Sequence, residues 1–213
     1  SPFVNEQLDS KSDLKQNILK TVLNPLNAVY AYAENLLVSD LSGSVNAERI
    51  LNVIANGKKK YGEIESKLGL TNNGLWSKQL KTLLDMDMVS KVYPINKEDD
   101  NKKVSYEMTD NLLRFWYTYV YKNKSALQML GAEAFYDNYI EPSITTFISH
   151  RFEEIARTFF SLQVKEGKRK GIFRIGTYYY DDSATKTNGE FDVVLQRKAD
   201  YDIYEVKSVS YTH

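Results

Sequence analysis

Hydrophobic residues recur at helical spacing in three consecutive segments, residues 46–57, 60–70 and 73–88. The repeated intervals of three and four residues predict three short helices, each with one buried face. The residues predicted to form those faces are Ile50, Leu51, Ile54, Ile64, Leu68, Trp76, Leu80, Leu83 and Leu84.

Residue types at the ends of these segments suit helix boundaries. Asn46 and Thr71 are predicted to start helices, because their side chains can accept hydrogen bonds from free backbone amides. Gly57 and Gly69 are predicted to end helices, with Gly69 forming the tight turn between the second and third.

Two strand-like runs follow, at residues 88–95 and 102–109, and polar residues 96–101 join them. Three helices followed by a hairpin are typical of the winged helix-turn-helix. The sequence therefore predicts a winged-helix domain over residues 41–109.

The flanking segments are also helical in pattern. Residues 1–40, interrupted by Pro25, have too few apolar positions for a domain and are predicted to be the tail of an upstream module. Residues 110–145 are predicted to be a helical connector. The connector is dense in aromatic residues, namely Phe115, Trp116, Tyr117, Tyr119 and Tyr121. A packed helix is the favoured interpretation, and a stacking platform for nucleic-acid bases is the alternative.

The residue pattern changes from helical to strand-like after Gly171. Residues 172–180, 190–197 and 202–209 have strand composition. Asp192 is predicted to lie near the start of its strand, just past a turn led by Gly189. If the last two strands pair, Asp192 and Glu205 meet at one end of the hairpin.

Two adjacent carboxylates favour a cation between them, and hard oxygen ligands suit Mg²⁺ or Mn²⁺. The predicted ligands are Asp192, Glu205 and the Val206 carbonyl. Lys207 projects from the same strand face as Glu205 and can orient a water against a phosphate. From the spacing alone, polar residues on a solvated strand face are the favoured interpretation, and a metal-dependent phosphodiesterase site is the alternative.

A helix rich in acids precedes the strands. Its predicted apolar stripe is Phe152, Ile155, Phe159 and Phe160. Glu153 or Glu154 lies beside that stripe and can reach the strand ends, which would complete the metal site through water.

Several quoted segments, in order, carry a family resemblance: "ILNVIANGKKKYGEIESKLGL", "LLRFWYTYV", "SHRFEEIAR", "GEFDVV" and "YEVK". Together they resemble the C-terminal region of prokaryotic archaeal-type AAA+ ATPases that carry a DEXX-box label. The resemblance implies an upstream ATPase module, a winged helix and a domain of the PD-(D/E)xK nuclease type. It places the nuclease-type catalytic positions on Glu153, Asp192, Glu205 and Lys207, with Glu153 as the helix acid.

The resemblance implies an α+β fold, in which the winged helix is followed by a restriction-endonuclease-like domain with a mixed sheet over residues 146–213. The chain ends soon after Lys207, so this domain is expected to be truncated and the chain to self-associate through an uncovered sheet edge. No G-x-x-x-x-G-K-[ST] phosphate loop is present, so ATP is expected to bind only in a full-length protein.

Composition narrows the remaining classes. Lys and Arg total 28, and Asp and Glu also total 28, which excludes a uniformly basic nucleic-acid coat. Cysteine is absent, so disulfides and thiolate metal sites are excluded. No run approaches the roughly 18 apolar residues of a membrane span, and a cytoplasmic location is expected. The chain begins at Ser1, which suggests a fragment.

Double-stranded DNA is the expected partner of the winged helix. Ser77, Lys78 and Lys81 face away from the predicted core on the third helix, and Lys102 and Lys103 lie on the predicted wing. A protein-interaction module is the alternative. Two minor candidates are the basic loop at 165–171, predicted to be solvated, and His150, predicted to be a surface or capping residue.

Overall fold

The structure, a computed structural model, describes residues 2–40, 45–57, 59–69, 74–182 and 184–206. These residues form two compact units. The first comprises Ser1–Lys91 and Tyr106–Pro142, and the second comprises Val92–Ser105 and Ser143–His213. The connection between the two predicted strands of the wing thus belongs to the second unit.

The first unit is mainly helical. Its helices are α1 (Pro2–Glu6), α2 (Leu14–Lys20), α3 (Ala28–Asp40), α4 (Val45–Ala55), α5 (Tyr61–Leu68), α6 (Gly74–Asp85), α7 (Asn111–Phe115) and α8 (Lys124–Phe135). Its strands are β1 (Lys59–Lys60), β2 (Val89–Val92) and β3 (Ser105–Met108), of which β2 and β3 end at the border with the second unit. They form a sheet in the order β1-β3-β2.

The hydrophobic periodicity of α4, α5 and α6 is confirmed by burial. All nine predicted positions except Leu84 are buried, and Leu84 is half-buried. The fully enclosed Trp76 ring lies 4.3 Å from the ring of Tyr61, at the start of α5. The three helices therefore share one apolar core.

The predicted helix end at Gly69 is confirmed, and the predicted helix start at Asn46 is wrong. Gly69 ends α5 with φ 64°, the left-handed conformation that glycine adopts most readily. Asn46 does not start a helix, because α4 already begins at Val45. Thr71 lies outside the described residues.

The aromatic segment is packed, as predicted, and it belongs to the first unit. Phe115, Trp116, Tyr117 and Tyr119 are buried, and Trp116 packs edge-to-face on Tyr30 of α3 at 4.9 Å. The helix widens into a π-helical turn at Trp116–Val120, which is followed by a 3₁₀ turn at Tyr121–Asn123. These rings are packed side chains and do not form an open stacking platform.

The second unit places one long helix against a small sheet. Helix α9 (Glu141–Lys165) begins in the first unit and continues through the second. The strands are β4 (Arg174–Asp182), β5 (Thr187–Gln196) and β6 (Tyr201–Tyr204), in the order β4-β5-β6. Phe160, Val193 and Leu195 are the buried centre of this unit.

The expectation of a mixed sheet is wrong for the described residues, because both strand pairs are antiparallel. A parallel pair needs a crossover connection of about a dozen residues or more, and only residues 183–186 and 197–200 separate these strands. The sheet in the described residues is a short meander.

The predicted apolar stripe of α9 is wrong for three of its four residues. Phe152, Ile155 and Phe159 are 42%, 58% and 53% exposed, and only Phe160 is buried. The helix contacts the sheet through Ala156 and Phe160 instead. Apolar residues occupy more than one side of α9, so the spacing alone could not identify the buried side.

The segment 92–105 is attached to β4. The Ile95 amide donates to the Thr177 carbonyl at 2.8 Å, and the Asn96 side chain bonds both the amide and the carbonyl of Tyr179. The predicted strands 88–95 and 102–109 are shortened to β2 and β3, since the chain between them pairs with β4.

Candidate functional site

Asp192 lies at an irregularity in β5. Gly176 pairs with Val194 and Tyr178 pairs with Phe191, so the single residue Thr177 faces two residues of β5. An extra residue of this kind is a β-bulge, which redirects side chains and is frequent beside active sites. Asp192 is one of the two bulged residues.

This position differs from the sequence prediction. Strand β4 continues to Asp182 and β5 starts at Thr187, so Gly189 lies inside β5 and Asp192 near its middle. The connection is built by the Asp182 carboxylate, which accepts from the Ala184 amide at 2.9 Å. That local bond fixes a tighter turn than the glycine predicts.

Two contacts hold the backbone and side chain of Asp192. Its Oδ2 accepts a hydrogen bond from the Val206 amide at 3.1 Å, just beyond the end of β6. Its carbonyl accepts from Nη1 of Arg157 on α9 at 2.8 Å. The carboxylate therefore extends the β5–β6 pairing past Tyr204.

The strand register brings Asp192 and Glu205 to the same end of the β5–β6 ladder. The last pair joins Val193 to Tyr204, and the Val206 amide donates to the Asp192 carboxylate at 3.1 Å. The direct approach of the two carboxylates, and their use with the Val206 carbonyl as ligands of one ion, stay predictions.

The predicted third carboxylate is not part of a cluster in the described structure. Over the residues that the structure describes, no three His, Asp or Glu side chains form a group suited to a metal ion, so the predicted set of Glu153, Asp192 and Glu205 is not assembled as direct ligands. A contact of Glu153 through water, and an ion held by Asp192 and Glu205, stay predictions. Lys207 lies outside the described residues.

Two arginines of this region were not identified from sequence. Arg157 bonds the Asp192 carbonyl, and Arg169, in the basic loop 165–171, lies 4.7 Å from the Phe160 ring and bonds the Tyr204 hydroxyl at 2.9 Å. The loop is otherwise exposed, as predicted, but Arg169 packs on the sheet. The side chain of His150 lies outside the described part of the chain.

The outer face of α6 carries the other predicted site. Lys78 and Lys81 are exposed, and within the described residues neither forms an ion pair. Ser77 is half-buried, and its hydroxyl is hydrogen-bonded to the Tyr61 hydroxyl at 2.6 Å. The two lysines are therefore available to an external anion.

The predicted wing lysines have different surroundings. Lys102 is exposed, whereas the Lys103 ammonium lies 3.7 Å from the centre of the Tyr179 ring. The pKa of Lys103 is raised, chiefly by its hydrogen bond to Tyr179 and further by the charges of Asp100 and Asp181. Lys103 is engaged with β4 and its surroundings, a contact that no local sequence pattern indicates.

Comparison with known proteins gives a family of unknown function. The model of the DUF234 family, described as archaeal and bacterial proteins of unknown function, matches residues 116–212. An uncharacterized protein of Methanocaldococcus jannaschii is 29% identical over 113 residues, which are 53% of this chain and 25% of that relative. The chain thus spans about a quarter of the length of this relative. No solved structure gives a significant match.

The match supports a similarity of residues 116–212 to archaeal and bacterial proteins of unknown function. The AAA+ ATPase context and the PD-(D/E)xK assignment stay predictions. Over the described residues, none of the helices has both the length and the apolar character to cross a membrane.

Proposed function

We propose that the first unit is a winged-helix module that binds duplex DNA. The observation that carries this proposal is the order α4, β1, α5, α6, β2, β3, with β3 between β1 and β2 in the sheet. In helix-turn-helix proteins the second helix of the motif enters the major groove. In this proposal α6, which follows α5, is that second helix.

The two sides of α6 support this role. Trp76, Leu80 and Leu83 fix the helix to the core, while Lys78 and Lys81 lie one turn apart on the exposed side. Because the whole chain has a formal net charge of zero, attraction to phosphates depends on such a local pair. The expectation of an upstream ATPase module rests on the sequence resemblance alone.

The test is duplex binding measured by fluorescence anisotropy of a labelled oligonucleotide. Replacing both lysines with glutamine (K78Q/K81Q) removes two phosphate contacts, so affinity at about 0.1 M salt is expected to fall on the order of tenfold to a hundredfold. The matched control is K122Q, which removes an exposed lysine of the same unit outside α6. Equal affinities of the double variant and K122Q would overturn the proposal.

A second candidate function is metal-dependent phosphodiester hydrolysis in the second unit. It is favoured by the bulge at Asp192 and by the last pair of the β5–β6 ladder, Val193 with Tyr204, which brings Asp192 and Glu205 to the same end of the hairpin. A bound Mg²⁺ or Mn²⁺ would supply positive charge for a phosphate and an activated water. In this proposal Asp192 and Glu205 hold the ion, and Lys207 orients the phosphate or the water.

Mn²⁺ is expected to raise the melting temperature of the wild-type chain by a few degrees, the shift that about 1–2 kcal/mol of ligand binding gives. D192N should abolish this rise, because the amide oxygen still accepts from the Val206 amide but the negative charge is lost. D99N, at an exposed acid of the same unit, should preserve it. A Mn²⁺ response that is unchanged in D192N would contradict the metal site.

A further inference from the structure

A groove in the first unit runs between α6 and strands β2 and β3. It has a volume of about 470 Å³. Its apolar floor is formed by Leu80, Leu84 and the buried Tyr106, and its polar walls include Lys81 and Lys91. Ser77 and Lys81 are predicted DNA contacts, whereas no sequence pattern indicates Lys91 or the groove.

The charge of the groove favours an anion. Lys81 on α6 and Lys91 on β2 are both exposed, and within the described residues neither forms an ion pair. Asp85 is the single acid among the lining residues. The lining therefore has a net positive charge, held between two different elements of the unit.

One wall carries a hydroxyl pair. The hydroxyls of Tyr61 and Ser77 lie 2.6 Å apart, and either can be the donor. Whichever group donates, the accepting hydroxyl keeps its own proton for an outside acceptor. The Tyr61 ring packs 4.3 Å from the Trp76 ring, so the pair is attached to the core.

We propose that this groove binds two neighbouring backbone phosphates of duplex DNA, one at Lys81 and one at Lys91, with the Tyr61–Ser77 pair supplying a hydrogen bond. The adjoining sugar contacts the apolar floor at Leu80 and Leu84. This inference rests on the proposed DNA binding by α6 and adds Lys91 and Tyr61 to the contact surface.

The experiment measures duplex affinity by anisotropy over a range of salt concentrations for the wild type, K91Q, Y61F and the control K122Q. K91Q should reduce the slope of log K against log salt by about 0.9, since one phosphate contact releases one counterion. Y61F should weaken binding about three- to tenfold with the slope unchanged, because one uncharged hydroxyl is removed and the Ser77 hydroxyl loses the partner that orients its proton.

The outcomes separate the two proposals. If the wild type binds DNA but K91Q and Y61F match K122Q, the groove inference is overturned and the role of α6 stands. If the wild type does not bind DNA, both fail. A third arm uses inorganic phosphate alone. Suppose that inorganic phosphate raises the melting temperature of the wild type and fails to do so in K91Q, while K91Q binds DNA as tightly as the wild type does. That result would assign the groove to a free anion and overturn the DNA assignment.

Discussion

Replacing Trp76 with alanine is expected to lower the free energy of unfolding of the first unit by about 3–5 kcal/mol. The indole is fully buried, and it packs against the Tyr61 ring at 4.3 Å. Its removal takes away apolar contacts and leaves a cavity that rigid neighbouring helices cannot fill. Urea unfolding followed by circular dichroism measures the change.

The control for this substitution is Trp76→Phe. A phenyl ring retains much of the packing against Tyr61, so a smaller loss is expected than for alanine. Because α6 is anchored by Trp76, the alanine variant should also lose DNA affinity. A loss below about 1 kcal/mol would show that α6 is not held by this core.

Replacing Gly176 with valine is expected to destabilise the second unit by about 1–3 kcal/mol through overpacking. A Cβ atom at Gly176 would lie 2.6 Å from Cγ2 of Ile95, closer than two carbon atoms can approach. The segment 92–105 would then have to move away from β4. Hydrogen exchange of the Ile95 amide, which donates to Thr177, reports that separation.

A double-mutant cycle isolates this contact. Ile95→Ala removes the obstructing methyl group, so it should cost stability in the wild type but less in the Gly176→Val background. Strictly additive effects would mean that Gly176 and Ile95 do not oppose each other.

Helical periodicity identified much of the first unit, because one buried face repeats every three to four residues along α4, α5 and α6. The burial of Ile50, Ile64 and Trp76 is predicted by that pattern alone. The buried face of α9 could not be predicted in this way, because its apolar residues occupy more than one face. The residues that pack inward, Ala156 and Phe160, are determined by contact with the sheet.

The candidate site in the second unit was only partly predictable. The pairing of β5 with β6 is predictable from sequence and is confirmed, because alternation and short connections are local properties. The bulge at Asp192 depends on the register with β4, and the contact from Arg157 joins residues far apart in the chain. No local pattern contains that information.

The wing shows the same limit. Residues 96–101 are polar, which predicted a connection between the two strands of the wing, with Lys102 and Lys103 on that wing as DNA contacts. The anchoring of the loop depends on Asn96 bonding to Tyr179, 83 residues away along the chain. The DNA surface that we propose therefore lies on α6 and its groove.

Binding of duplex DNA by α6 is tested by the salt dependence of K78Q/K81Q. We expect log K of the wild type to fall linearly with log salt, and the slope of the double variant to be smaller in magnitude by about 1.8, the contribution of two phosphate contacts. K122Q should keep the wild-type slope. Identical slopes for the wild type and K78Q/K81Q would show that the two lysines of α6 do not contact the duplex.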